Sequence, residues 1–233
     1  TEEVVAKYKS KIIYVKQKNQ GVSASRNNGV NISNGDFVAF LDADDEWLPT
    51  KIEKQLEIFE RNPKIGLAHC GYIDIDGEGT FLKEHLEGMS GLVAKEMLFF
   101  ERPVILGGGS GIFIPKDVFN QVGGFDLQLS TSADWDFCFR IASNWEIGFV
   151  AEPLFKYRLH GSNMHGNIKL MRKDMLWAYQ KAFSDKTNLE LQKVRRKAYS
   201  RLHKVLAGSF SAVGQYTEIF PHLLKSIYYS PSN

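Results

Sequence analysis

The sequence predicts an α/β protein with a mostly parallel sheet flanked by helices, followed by a helical C-terminal extension. Apolar runs of strand length alternate with segments of helical periodicity in the first part of the chain. From Asn167 onward the apolar residues recur at helical spacing, with basic residues on the opposite face. We therefore expect two parts, a sheet-containing domain over residues 1–165 and a helical extension over residues 166–233.

Composition places the chain among folded globular proteins. Its 233 residues, 43% of them hydrophobic, suffice for one α/β domain with a full core, which excludes the disordered and fibrous classes. Cys70 and Cys138 lack the spacing of a metal site, so we expect two buried reduced thiols. The chain has no run of 18 apolar residues, and its start lacks a signal-peptide pattern, so we expect a soluble, cytoplasmic protein.

The charge is unevenly distributed along the chain. Residues 166–233 hold 12 Lys and Arg against 4 Asp and Glu, while the preceding part is net acidic. This asymmetry favours an anionic partner for the basic C-terminal helix, such as the surface of a membrane. A solvated helix face is the alternative, and we expect no nucleic-acid partner.

Local signals predict the individual elements in chain order. The domain begins with a β-rich run, a helix that Asn34 and Gly35 stop, an apolar strand and a helix opened by Pro49, at residues 11–15, 22–33, 36–41 and 49–59. Next come a strand, a turn, a short helix, a strand and a helix, at residues 65–75, 77–79, 94–100, 112–115 and 134–141. The extension contains an amphipathic helix through residues 191–206 and a last short helix over 220–228.

Three carboxylates directly follow the apolar strand. Asp42, Asp44 and Asp45 come where this strand ends, and open α/β sheets bind ligands beyond the carboxyl ends of their strands. Clustered carboxylates are costly without a cation, and their hard oxygens suit Mg²⁺ or Mn²⁺ completed by phosphate oxygens. The alternative for one of them is that Asp44 or Asp45 caps the following helix. We interpret the cluster as a divalent-metal site that handles phosphate.

A glycine-rich segment and a second acidic pair are further candidates. Four glycines surround Ser110 in residues 107–111, and glycine lets the backbone approach a ligand closely, although a flexible turn would explain the pattern as well. Asp134 and Asp136 begin a helix and point about 200° apart, so only one of them can face a given cleft.

Five motifs occur in an order that resembles the family 2 glycosyltransferases with a GT-A (Rossmann-like) fold. They are GVSASRNNGV, GDFVAFLDADDEW, GGFD, SADWDFCFRIA and YRLHGSNMH, and together they cover roughly residues 8–165. The resemblance implies an inverting hexosyltransferase-type enzyme that takes a sugar from a nucleotide-sugar donor, with a UDP-sugar as the first candidate, and uses Mn²⁺ or Mg²⁺. It also implies synthesis of surface or extracellular polysaccharide, with a glycan or lipid-linked acceptor met at the inner face of the membrane.

The resemblance assigns roles to the acidic residues position by position. Asp42 and Asp44 match the family's DXD motif, with Asp44 as the metal ligand and Asp42 nearer the ribose or nucleotide. A metal on the phosphates neutralises the charge that grows on the leaving nucleoside diphosphate. Asp134 matches the general base, and its early helical position favours the ionised form. The family often has a second acid directly before this base, where this chain has Ala133, and Asp136 is the reserve candidate.

Other residues are expected around the donor. The resemblance places Arg26 against the nucleotide, and it places Arg158 and His160 near the metal or diphosphate, with His160 as a second metal ligand. We place the donor sugar near Gly109 and Ser110. Solvent-facing or structural roles are the alternatives for Arg26, Arg158 and His160.

One portion that the resemblance implies is missing. Family members open with a strand, a helix and a second strand that hold the base of the nucleotide, whereas this chain starts at TEEVVAKYK, so we expect that it begins inside a longer protein. The alternative function is a catalytically weak or inactive nucleotide-sugar-binding protein. A haloacid dehalogenase-like phosphatase is disfavoured, because Glu46 stands where that family needs Thr or Val.

Overall fold

A mixed six-stranded sheet lies at the centre of the computed structural model, which describes residues 2–8, 11–161 and 167–231. The strands are β1 (Phe37–Ala39), β2 (Glu46–Trp47), β3 (Ile65–Ile75), β4 (Phe81–His85), β5 (Phe113–Pro115) and β6 (Glu146–Arg158). Their order is β1-β5-β3-β6-β2, and β4 pairs with β3 outside this path.

Helices cover the sheet and form the C-terminal part of the chain. They are α1 (Glu2–Ala6), α2 (Val22–Ile32), α3 (Lys51–Arg61), α4 (Ala94–Met97), α5 (Gly108–Gly111), α6 (Lys116–Gln121), α7 (Ala133–Ala142), α8 (Ile168–Ala182), α9 (Leu189–Ala212) and α10 (Ile219–Tyr229). The predicted α/β class and the helical extension are confirmed. The predicted boundary between residues 165 and 166 lies outside the described residues.

The sheet is mixed rather than mostly parallel, which corrects one detail of the prediction. The long pairing of β3 with β6 is parallel, whereas the pairings β1–β5, β2–β6, β3–β4 and β3–β5 are antiparallel. Parallel neighbours need a long crossover connection, and seventy residues with several helices separate β3 from β6. In contrast, β3 and β4 are joined by the tight turn at residues 77–79, which permits only an antiparallel pair.

Most predicted elements are present, with one clear exception. The strand at residues 65–75 has the predicted bounds, and α2 and α7 lie where the sequence placed them. The β-rich run at residues 11–15 forms no strand, and its apolar side chains Ile12, Ile13 and Val15 are exposed. An extended segment becomes a strand only with a hydrogen-bonding neighbour, which this run lacks among the described residues.

The helical extension shares its core with the sheet domain. Tyr179 of α8 is fully buried, and its hydroxyl donates a 2.7 Å hydrogen bond to the carbonyl of Leu98. Its ring stacks on Phe100 and Trp135 of the domain. Cys138 is also buried in this core and Cys70 in a neighbouring cluster, both as free thiols, and burial raises the pKa of Cys70 to about 11. The predicted buried reduced thiols are therefore confirmed.

The last helix, α10, turns its polar side chains inward and its apolar ones outward. His222 and Ser226 are buried against α9, where Ser200 donates a 2.9 Å hydrogen bond to the Ser226 carbonyl. The exposed face consists of Phe220, Leu223, Leu224, Ile227 and Tyr228, which are 41% to 75% exposed. Their spacing of three and four residues aligns them in one apolar stripe. No helix in the described ranges is long and apolar enough to cross a membrane.

A buried carboxylate of α8 holds the loop before α7. One oxygen of Asp174, Oδ2, accepts hydrogen bonds from the backbone N–H groups of Ser130 and Thr131, both at 2.9 Å, and from both hydroxyls. Asp174 is 1% exposed, so it satisfies polar groups that would otherwise be buried without partners. The extension thereby fixes the loop that leads into Asp134.

We expect the substitution Asp174→Ala to lower the free energy of unfolding by about 3 kcal/mol, because it removes the shared acceptor of several partly buried donors at once. Urea denaturation followed by circular dichroism measures this loss. The matched control is Asp185→Ala, which removes an exposed carboxylate with two local hydrogen bonds to Thr187 and should cost less than about 1 kcal/mol. Equal losses for the two variants would contradict the proposed role of Asp174.

Candidate functional site

Three of the sequence-predicted acidic residues, Asp42, Asp44 and Asp134, line one cavity of about 370 Å³. It opens beyond the end of β1, between the start of α2, the glycine-rich turn and the start of α7. Its lining consists of Val22, Arg26, Asp42, Asp44, Tyr72, Gly107, Gly108, Gly109, Ser130, Thr131, Asp134, Tyr157 and His160. The structure therefore brings together Arg26, Asp42, Asp44, Gly109, Asp134 and His160 from the predicted set.

Arg26 bridges the two acidic parts of the site. Its Nη2 donates to Asp42 Oδ1 at 2.8 Å, and its Nη1 donates to Asp134 Oδ1. The guanidinium side chain is 9% exposed and packs against the rings of Phe40 and Phe125, at 5.7 and 5.2 Å from their centroids. Burial alone would lower the pKa of Arg26, but the two carboxylates raise it, so the guanidinium stays charged.

Asp134 stands in the first turn of α7 and faces the cavity. Its Oδ2 also accepts the backbone N–H of Gly109 at 3.2 Å. Burial raises the pKa of Asp134, the positive charge of Arg26 opposes this, and the negative charge of Asp42 adds to the rise. The family often has a second acid directly before the base, where this chain has Ala133. In the folded chain Asp42, across the cavity, supplies such a neighbouring negative charge.

Asp136 is not available to the cavity. Its carboxylate is 2% exposed and forms ion pairs with Arg140 and Lys181, both at 2.9 Å. These bonds tie α7 to itself and to α8, which makes Asp136 a structural residue. Of the two helix-borne acids, Asp134 is the one in position for chemistry.

The three clustered carboxylates have three different environments. Asp44 Oδ2 lies 2.8 Å from His160 Nε2, and both side chains are at least one third exposed. Asp45 is buried, and burial raises its pKa; its Oδ1 accepts the backbone N–H of Arg158 at 3.1 Å. The alternative that Asp44 or Asp45 caps the next helix is wrong, because Thr50 is the N-cap of α3 and no side chain bonds to that end.

Two residues that were predicted to contact the nucleotide-sugar support the acidic loop instead of lining the cavity. Ser110 is 1% exposed, and its Oγ accepts the backbone N–H of Asp42 at 3.0 Å, so it fixes the acidic loop. Arg158 donates to the carbonyls of Asp44 and Gly77, at 3.0 and 3.1 Å, and to Glu46 Oε1 at 2.5 Å. These contacts occupy the guanidinium on the outer side of the loop. Neither side chain lines the cavity, and the expectation that Ser110 and Arg158 contact the donor stays a prediction.

The glycine-rich segment needs its glycines for close packing. It forms the single turn α5, preceded by Gly107 in a left-handed conformation with φ of 77°. A Cβ at Gly109 would collide with the guanidinium of Arg26, and one at Gly107 would collide with the ring of Phe155. From beneath, Gln55 donates to the Gly111 carbonyl at 2.8 Å. The turn is therefore rigid and presents its backbone to the cavity, unlike the flexible turn that the sequence left open.

Sequence reasoning missed five residues of the lining: Val22, Tyr72, Ser130, Thr131 and Tyr157. Tyr72 and Tyr157 stand on the neighbouring strands β3 and β6, and Tyr72 stacks on His85 at a centroid distance of 4.4 Å. The signal for Tyr157 was its place in the motif YRLHGS, three residues before His160. No signal distinguished Tyr72 from an ordinary strand aromatic.

The side chains offer a partial metal site. Within the described ranges no group of three Asp, Glu, His or Cys side chains converges closely enough to hold an ion. Asp44 and His160 supply one carboxylate oxygen and one imidazole nitrogen at the open side of the cavity. This donor set fits Mn²⁺ or Mg²⁺ when phosphate oxygens complete the coordination.

Comparison with known proteins identifies the family of this chain. Residues 1–123 match the profile described as Glycosyl transferase family 2. An uncharacterized glycosyltransferase of Methanocaldococcus jannaschii is 32% identical over 183 residues, which is 76% of this chain and 61% of that relative. The chain thus spans about three fifths of this relative's length.

Solved structures show the same fold at low identity. TarS of S. aureus in complex with UDP covers 100% of this chain, with 79% of its own length, a TM-score of 0.52 and 14% identity. The mannosyltransferase PcManGT of Pyrobaculum calidifontis, solved with GDP-Man and Mn²⁺, covers 93% of this chain, with 68% of its own length, a TM-score of 0.52 and 11% identity. The GT-A architecture that the motifs implied is confirmed.

We expect Arg26→Gln to lower the free energy of unfolding by about 2 kcal/mol at neutral pH. Removing one partner of a fully buried ion pair costs roughly 3–5 kcal/mol. The loss is smaller here because both carboxylates are a third or more exposed to solvent. The pKa of Asp134, already raised in the folded protein, should rise further without the guanidinium. The stability difference from wild type should therefore be small at acidic pH and grow as the pH rises through the folded pKa.

Carboxyl NMR of Asp134 across pH, together with urea unfolding at each pH, measures these effects. The control is Lys54→Gln, which removes an ion pair with Glu152 at a distance from the cavity. A stability loss that stays constant with pH, or a lowered pKa of Asp134, would contradict the bridging role of Arg26.

Proposed function

This chain belongs to glycosyltransferase family 2, and from that premise we propose that it transfers a sugar, with inversion, from a nucleotide-sugar donor to an acceptor hydroxyl. The observation that supports this best is the arrangement around Arg26. A carboxylate and an imidazole suited to a cation, Asp44 and His160, share one cavity with a helix-borne acid, Asp134. Such a pair of sites can hold a leaving diphosphate and activate an attacking hydroxyl in one place.

On the donor side, Asp44 and His160 hold the divalent cation in this proposal, Mn²⁺ or Mg²⁺. When bound, the cation neutralises the charge that builds on the departing nucleoside diphosphate. Asp42 lies nearer the nucleotide, and the backbone of Gly109 approaches the sugar. UDP-sugars are the first donors to examine.

On the acceptor side, Asp134 takes the proton of the attacking hydroxyl onto a carboxylate oxygen as the hydroxyl oxygen bonds to the anomeric carbon. A pKa raised by burial suits this role, because a general base works best when its pKa approaches the working pH. Arg26 keeps the carboxylate ionised and oriented, and the hydrogen bond from Gly109 fixes its second oxygen.

The alternative is a catalytically weak or inactive nucleotide-sugar-binding protein. The observation that favours it is the ion pair itself, because a base held by Arg26 accepts a proton less readily. Binding and turnover distinguish the two functions.

Release of nucleoside diphosphate from a panel of UDP-, GDP- and dTDP-sugars, measured with Mn²⁺ and candidate acceptors, tests the transferase. We expect Asp134→Asn to reduce transfer by about 10² to 10⁴ while nucleotide-sugar binding persists, since only the proton acceptor is lost. Asp44→Asn or a chelator should weaken donor binding and turnover together. The matched control is Asp117→Asn, an exposed acid in the first turn of α6. Donor binding without turnover, indifferent to Asp134→Asn, would support the binding protein instead.

We also propose that the enzyme builds surface or extracellular polysaccharide at the inner face of the membrane, which the C-terminal helices contact. The basic face of α9 is partly used in ion pairs, as Lys197 and Arg201 reach Glu101. The exposed apolar stripe of α10 is the better candidate for direct contact. A helix with one apolar face and nearby cations, here Lys225 and Arg196, suits an anionic interface.

Cosedimentation with phosphatidylglycerol-containing vesicles tests this contact. We expect the double substitution Leu224→Asp and Ile227→Asp to weaken binding about tenfold or more, because it places charge where apolar side chains would be buried. The control Leu127→Asp changes an exposed leucine that lies outside the helices. Vesicle binding that is unchanged by the α10 substitutions would discard the contact.

A further inference from the structure

A second cavity adjoins the first through Asp134. It has a volume of about 320 Å³ and lies between α7 and the segment that links α4 to α5. Its walls are mainly apolar, formed by Met97, Phe100, Val104, Ile105, Trp135 and Cys138. Three residues line both cavities: Gly108, Thr131 and Asp134. The proposed base therefore stands at the junction of a polar donor cavity and an apolar chamber of similar size.

The chamber is held in shape by an aromatic stack. Phe100 has a φ of 51°, a left-handed conformation that a bulky residue adopts only under constraint. Its ring is stacked on Trp135 and Tyr179, at centroid distances of 6.0 and 6.4 Å, and Trp135 is stacked on Phe139 at 5.2 Å. This wall is therefore preformed, as expected of a small-molecule site.

The charged groups of the chamber lie at its two ends. Asp134 is at the end shared with the donor cavity, whereas Arg102 is an exposed residue of the lining and so marks the opening. Glu101, the acid beside Arg102 in the chain, pairs with basic side chains of α9 instead. Burial raises the pKa of the Cys138 thiol, so that thiol is neutral and adds no charge to the wall.

We propose that this chamber binds the acceptor, and that the acceptor is an amphipathic alcohol with an anionic group. This inference rests on the transferase function proposed above and specifies its second substrate. The apolar part of the acceptor fills the space between Phe100, Ile105 and Trp135, its hydroxyl meets Asp134, and its anionic group pairs with Arg102. A wholly polar glycan would leave this wall in contact with water and gain nothing from burying it.

Binding of short-chain amphiphiles tests the chamber without knowledge of the natural acceptor. Hexyl, octyl and decyl phosphate are titrated below their micelle concentrations by calorimetry, beside the corresponding alkyl glucosides. We expect affinity to rise by up to about fourfold per methylene until the chamber is full, and the phosphates to bind more tightly than the glucosides. Affinity that does not depend on chain length would overturn the proposal.

Two substitutions locate the binding. Arg102→Gln should weaken binding of the phosphates about tenfold and leave the glucosides unchanged, because only the charge at the opening is lost. Arg61→Gln, which changes an exposed arginine on α3, is the matched control and should change neither series. Ile105→Trp narrows the chamber and should weaken both series, with circular dichroism to verify its folding. Equal effects of Arg102→Gln and Arg61→Gln would place the amphiphile elsewhere and reject the assignment.

Nucleotide-sugar titration of the wild-type protein separates this inference from the function on which it rests. If nucleotide-sugars bind and are turned over while the alkyl phosphates do not bind, the acceptor assignment fails and the transferase stands. If the alkyl phosphates bind as expected but no nucleotide-sugar does, the chamber is real and the transferase function fails.

Discussion

The site depends on one buried cation held between two carboxylates. Asp42 follows β1 and Asp134 begins α7, so two negative groups from distant parts of the chain face the same cavity. Arg26 joins them, and its buried guanidinium packs against the rings of Phe40 and Phe125, which limits the screening of its charge by water. The surrounding sequence follows from this constraint. Gly109 has no side chain because the guanidinium occupies the space where a Cβ would lie.

The acidic loop is fixed from its outer side, and Asp42 and Asp44 face the cavity. Arg158 binds backbone carbonyls and Glu46, Ser110 receives the N–H of Asp42, and Asp45 receives the N–H of Arg158. The bonds of the buried side chains Ser110 and Asp45 to backbone N–H groups help the loop to hold several like charges in place. Asp44 and His160 remain at the surface of the cavity, where a ligand can replace their mutual contact.

The sequence was most informative where a motif and a strong periodicity coincided. It gave the bounds of β3, the helices α2 and α7, and the residues Arg26, Asp42, Asp44, Asp134 and His160 that line the cavity. It was less informative about which way a side chain points. Ser110 and Arg158 lie in the predicted motifs, but packing in the folded chain turns both side chains away from the cavity. The sequence also did not show which segments pair as strands. The run at residues 11–15 has the composition of a strand but no pairing partner among the described residues. The pairing partners of Asp134 and the place of Tyr72 arise from contacts between residues far apart in the chain.

The bonds from Asp174 to Ser130 and Thr131 have a consequence for how the two parts of the chain act together. The helix α7, which carries the proposed base Asp134, receives its starting orientation from a residue more than forty positions downstream, in the C-terminal extension. Shortening or loosening that extension would be expected to displace Asp134 even though no residue of the cavity itself had changed. A truncated variant intended to retain the cavity should therefore keep α8, and a partner that displaced this helix would move Asp134 without contacting the cavity.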